Sequence, residues 1–154
     1  MSGSDQMQPS GGSPAPRSVK VFGLLGLIPF LAPPLAAVFV PGLAPAAGWV
    51  LALYGALILS FLGGARFAFA ISAPKPDARL VALAMLPTLV GFGLLLFLPR
   101  ARSVQLVGLA LALVAQGALD ARISSSPPWY PRLRILLTLG AVLGLGLGVW
   151  VLQA

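Results

Sequence analysis

Apolar residues occupy this chain in long uninterrupted stretches, with the polar positions gathered between them. Residues 1–20 (MSGSDQMQPSGGSPAPRSVK) are rich in Ser, Gly and Pro and show no apolar period. They bury too little apolar surface to offset the entropy of ordering, which predicts a disordered tail. An uncharged run of 45 residues follows, from Val21 to Ala65. That is too long for one membrane crossing of about 20 residues, and the turn residues Pro41-Gly42-Leu43-Ala44-Pro45 divide it into a hairpin. Three further uncharged runs, Leu80–Pro99, Ser103–Leu119 and Ile135–Ala154, hold 20, 17 and 20 residues. None has the apolar/polar alternation of a lipid-facing barrel strand. Backbone in hydrocarbon must satisfy its hydrogen bonds internally, which leaves the helix. The pattern therefore predicts an all-α polytopic membrane protein. Its transmembrane helical domain (21–154) is a bundle of five transmembrane helices at about 21–40, 47–70, 80–99, 103–120 and 134–153, the first kinked by proline.

Composition agrees with this reading and removes several classes of chemistry. The chain of 154 residues is 58% hydrophobic and 8% charged, with a mean hydropathy of +0.98; a soluble domain carries about a quarter charged residues. Cys and His are absent, and the three acids, Asp5, Asp77 and Asp120, are scattered. No nucleophile–base–orienter set and no metal-ligand cluster can be assembled from these residues, so the expectation is no enzyme, no cofactor and no metal. Gly63-Gly64 is not a phosphate loop, because it lies in a span and no Lys-Ser/Thr follows.

The net charge of +7 does not read as a nucleic-acid surface. Acids are few, and the bases cluster at the ends of apolar runs, as the positive-inside bias requires. With the tail inside, Arg17, Lys20, Arg66, Lys75, Arg79, Arg122, Arg132 and Arg134 fall on the cytoplasmic side and only Arg100 and Arg102 opposite. The expected orientation is N-terminus in the cytoplasm and C-terminus outside. The first apolar run exceeds the 7–15 apolar residues usual in a cleaved secretory signal and follows a polar tail, so it is read as retained. The tail, with one Arg, one Lys and an Asp, is a poor mitochondrial presequence. Eight Arg against two Lys, with abundant Ala, Gly and Pro, suggest a GC-rich bacterial genome. The expected location is a bacterial inner membrane, ahead of a mitochondrial one.

Within the spans, Pro29 and Pro33-Pro34 should kink or break the first helix around Pro29–Pro34, since each proline removes a helical donor and crowds the carbonyl four residues back. Gly140, Gly144 and Gly148 recur every four residues along one face of the last span and read as a close helix-packing face, within the monomer or between copies. Gly108 and Ala112 give a weaker version on the fourth. Arg66 sits inside apolar sequence and either snorkels to the headgroups or pairs with Asp120, which ends the fourth span on the same side. Trp129 and Tyr130 suit the headgroup layer, with Arg132 and Arg134 facing lipid phosphates or the loop after the second span.

Gly26-Leu27-Ile28-Pro29-Phe30, Tyr54-Gly55-Ala56, the run Ile58-Leu59-Ser60-Phe61-Leu62-Gly63-Gly64-Ala65-Arg66-Phe67, and Pro128-Trp129-Tyr130 with Leu133-Arg134 and Leu137-Thr138 resemble one family. It is a small multi-pass membrane protein family of unknown function that includes mitochondrial transmembrane protein 69. The resemblance covers roughly residues 20–150 in order, with Phe67 standing where Trp is more usual. It implies an inner-membrane setting and carries no activity. The expected role is a non-catalytic accessory or assembly subunit, whose partners are the lipid bilayer, other membrane proteins or further copies. A small oligomeric transporter or channel is the alternative.

Overall fold

The computed structural model describes residues 15–98, 100–120 and 127–154. Among them, helices α1 (Arg17–Leu25), α2 (Ile28–Phe39), α3 (Ala44–Ile71), α4 (Ala78–Phe97), α5 (Arg102–Asp120) and α6 (Tyr130–Gln153) form five membrane-spanning units, because α1 and α2 together make the first. Most of the expected tail, and residues 121–126 with Arg122 and the Ser124–Ser126 entry to the last span, lie outside the described residues. Helix α1 starts at Arg17, four residues ahead of the expected span.

The first span is interrupted at Gly26-Leu27, a turn ahead of the prolines. Pro29 lacks an N–H and its ring crowds the carbonyl of Leu25, so the helix must end there and restart with Pro29 in its first turn. Once restarted, α2 runs through Pro33 and Pro34 without a second break. The interruption leaves the Gly26 carbonyl without a helical donor, and the Tyr54 hydroxyl of α3 donates to it at 2.9 Å. The Tyr54 ring meets Phe30 edge-on, at a centroid distance of 4.9 Å. A 3₁₀ turn at Pro41–Leu43 closes the hairpin into α3. At the opposite end of α3, Asp77 caps α4 by accepting the Arg79 N–H at 2.8 Å.

Helix α3 is the hub and packs against α2, α4, α5 and α6. The core joins Phe30 of α2, Leu51, Ala52 and Leu59 of α3, Leu106, Leu109 and Leu113 of α5, and Ala141 and Leu145 of α6. Large apolar side chains such as Phe39, Leu57, Phe61, Phe92, Phe97, Leu111 and Leu143 face outward. In water such a surface would aggregate; in hydrocarbon it is the solvated face.

Small residues set the helix spacing. A Cβ on Gly144 would overlap the backbone carbonyl of Phe30, the group that Pro34 deprives of its helical donor. Gly140 faces Leu27, at 2.7 Å from an added Cβ, and Gly148 faces Leu51. The Gly140–Gly148 face is thus covered within the chain, by Leu27 at the α1–α2 break, Phe30 of α2, Leu51 of α3 and Leu106 of α5. Gly108 likewise admits Leu94 of α4, at 2.7 Å. Between α3 and α4, Gly63 lies 2.8 Å (added Cβ) from the carbonyl of Ala84 and against Pro87, and Thr88 donates to Ser60 one turn along, at 3.2 Å. Gly64, its neighbour, faces outward with nothing within 4 Å.

Candidate functional site around Asp120

Asp120 is the last residue of α5 and is 2% exposed. Its Oδ2 accepts from Nε of Arg134 at 3.0 Å, and its Oδ1 from Nε2 of Gln116 at 3.0 Å. Nε of Arg66 lies 3.9 Å from Oδ1. The ends of α3 and α5 and the start of α6 therefore meet at one charged cluster. The helix dipole opposes both members of the tight pair: an acid belongs at a helix N-terminus, yet Asp120 ends α5, and Arg134 lies early in α6. What holds them there is their pairing. Each charge removes the cost of burying the other, and Gln116, one helical turn before Asp120, satisfies the second oxygen.

The expected partner of Asp120, Arg66, is present at the outer limit of an ion pair, with its side chain 23% exposed. The tight partner is Arg134, which sequence reasoning assigned to lipid phosphates or a loop. That assignment is corrected: Arg134 is 7% exposed and points to Asp120. The signal was present in the sequence. An acid at the end of one span and a base at the start of the next are joined by a single loop, so the topology alone brings them together. Trp129 and Tyr130 stand at the start of α6, half-buried, their rings 6.2 Å apart and edge-on.

At the other end of the bundle, Nε2 of Gln105 donates to the carbonyls of Leu94 and Leu95 at 3.0 and 3.4 Å. Those carbonyls belong to the last turn or so of α4, where helical donors run out. Arg102 donates to the Gln105 side-chain oxygen. Neither Gln105 nor Gln116 stood out in the sequence; a glutamine inside an apolar span is the signal that finds them.

Two cavities flank the Asp120 cluster. One of about 330 Å³ lies between α3, α4 and α5, with Arg66 and Gln116 as its polar members. The other, of about 180 Å³, lies beside the α1–α2 break and is lined by Arg134 and Thr138 of α6 among apolar side chains. Nη2 of Arg134 and Oγ1 of Thr138 are buried without a hydrogen-bond partner among the described residues.

A bundle of five apolar helices, latched at one end by a buried carboxylate between two arginines, defines a polytopic helical membrane protein. The chain belongs to the protein family of unknown function DUF3429, which matches residues 15–150. Among curated proteins it is 37% identical over 137 residues to transmembrane protein 69 of Xenopus tropicalis, covering 85% of this chain and 53% of that protein. Transmembrane protein 69 of Mus musculus is 35% identical over 133 residues, 82% of this chain and 53% of the relative. The chain thus spans about half the length of these relatives. No solved structure matches it. The segments whose resemblance was noted in the sequence meet one another in the fold: Gly26 and Phe30 touch Tyr54, Ser60 and Gly63 touch α4, and Arg66 and Arg134 converge on Asp120.

Proposed function

We propose that this protein is a non-catalytic subunit that packs against other membrane proteins as an accessory or assembly factor. The observation that carries this reading is how its polar side chains are used. Asp120, Arg134, Gln116, Tyr54, Ser60, Thr88 and Gln105 bond helix to helix or to their own helix ends. What they hold in place is a broad apolar exterior, including a flat strip on α3 where exposed Gly64, Ala65 and Ala68 adjoin Phe61. Small residues at a lipid-facing position let a second helix approach closely. The absence of Cys and His and the scatter of the acids favour a role without catalysis.

The proposed setting is an inner membrane, with Arg17, Lys20, Arg66 and Arg134 at the cytoplasmic end, on the positive-inside argument. Mild-detergent extraction of tagged protein should recover stoichiometric membrane partners, and Gly64→Leu should release them while leaving the bundle folded. Recovery of a lone monomer or a homo-oligomer would contradict the proposal. The alternative, an oligomeric transporter or channel, draws on the broken first span and its cavity. The glycine face that would join copies in that reading is occupied within the chain.

A further inference from the structure

The larger of the two cavities is a groove between α4 and α5, floored by α3. At the far end of the bundle these two helices meet closely, through Leu94 on Gly108 and the Gln105 bonds to the Leu94 and Leu95 carbonyls. Towards the Asp120 end a gap separates them. There α4 lies against α3, with Ala84 and Pro87 on Gly63 and Gly91 on Ala56. Across the gap, α5 presents the small residues Ala112 and Ala115. The space left is about 330 Å³. It runs two helical turns, about 10 Å, from Val90 to Leu83. Leu83, Leu86 and Val90 form one wall, and Ala112, Ala115 and Leu119 the other. All but Ala112 are exposed on the lipid-facing surface, so the groove opens sideways into the bilayer.

The charge in this groove is Arg66, whose side chain is 23% exposed. Its Nε stands 3.9 Å from Asp120, beyond hydrogen-bond reach. Asp120 is already satisfied, by Arg134 on one oxygen and Gln116 on the other, each at 3.0 Å. Two arginines against one carboxylate leave a positive charge over, and the accessible arginine carries it. Side chains leave a helix tilted towards its N-terminus. Arg66, five residues before the end of α3, therefore projects into the groove and not out past the helix end. We infer that the groove binds one anionic phospholipid, its phosphate on the Arg66 guanidinium and one acyl chain laid between α4 and α5. A guanidinium offers paired donors to phosphate oxygens, and basic pockets between helices at this level hold acidic headgroups. Exposed Lys75 and Arg79 outnumber Asp77 at the same end and add to the attraction. A water cluster would find few partners between apolar walls. A partner helix, about 10 Å across, is too wide for the volume. An acyl chain meets both conditions.

The test uses the purified protein in a neutral detergent. Labelled dioleoylphosphatidylglycerol is the probe, dioleoylphosphatidylcholine the zwitterionic control and inorganic phosphate the soluble competitor. One saturable site per chain is expected for the anionic lipid, unmatched by the zwitterionic one and not displaced by phosphate. Arg66→Gln removes the charge, and Ala115→Phe fills the groove without touching it. Each should weaken binding about tenfold, with the elution profile unchanged. Two controls should bind as the unaltered chain does: Arg79→Gln, which removes an exposed charge outside the groove, and Leu111→Phe, which adds bulk to the lipid-facing side of α5. Absence of saturable binding, equal binding of the zwitterionic lipid, displacement by phosphate, or a loss with Arg79→Gln equal to that with Arg66→Gln would each overturn the inference.

Discussion

Asp120 shows how few polar residues a membrane bundle needs if each is placed against another. Its two arginines are not equivalent. The Arg134 contact is short and buried, so Arg134→Ala strands a buried carboxylate and should cost about 3–5 kcal/mol of stability. The Arg66 contact is long and partly exposed, and Arg66→Ala should cost about 1 kcal/mol or less. Double-mutant cycles with Asp120→Ala, read by thermal melting in detergent, should give strong non-additivity with Arg134 and near-additivity with Arg66. The reverse ranking would show that the charges are arranged otherwise. Tyr54 makes a smaller, separable contribution. Tyr54→Phe keeps the edge-on contact with Phe30 and removes only the bond to the Gly26 carbonyl. A loss of about 0.5–1.5 kcal/mol is expected; no loss would mean that another donor takes that carbonyl.

The helices were legible in the sequence because hydrocarbon imposes a length and a backbone rule, and the runs ending near Ile71, Phe97, Asp120 and Gln153 obey both. The place where the first span breaks was not. Proline acts on the carbonyl four residues back, so Pro29 puts the interruption at Gly26-Leu27, while Pro33 and Pro34 sit inside a helix that tolerates them. The glycine spacing on α6 announced a packing face but not its partner, which only the three-dimensional path of α2, α3 and α5 determines. That partner makes the glycines unequal. Gly144→Ala forces a Cβ into the Phe30 carbonyl and should destabilise the bundle by several times the effect of an ordinary surface change, about 2 kcal/mol or more. Gly64→Ala meets open space and should be neutral or stabilising by up to about 1 kcal/mol, through helix propensity alone. Equal effects at the two positions would contradict the packing of α2 on α6.

At the scale of the whole molecule, the charged cluster that joins α3, α5 and α6 requires those three helix ends to share one membrane face. Gln105 and Arg102, with α4 ending nearby, mark the other face. This alternation could be read from the sequence through the bases; which arginine faced a carboxylate and which faced lipid depended on helix rotation, which apolar runs do not encode. The central claim is that the chain crosses the bilayer five times. Because it holds no Cys, single cysteines placed at Ser18, Ser72, Ala101 and Ala154 can be labelled against a silent background. A membrane-impermeant maleimide applied to sealed membrane vesicles of one orientation should reach Ala101→Cys and Ala154→Cys together, and Ser18→Cys and Ser72→Cys only after permeabilisation, or the reverse pair in inverted vesicles. Labelling of Ser72→Cys and Ala154→Cys from the same side would contradict the five-helix arrangement.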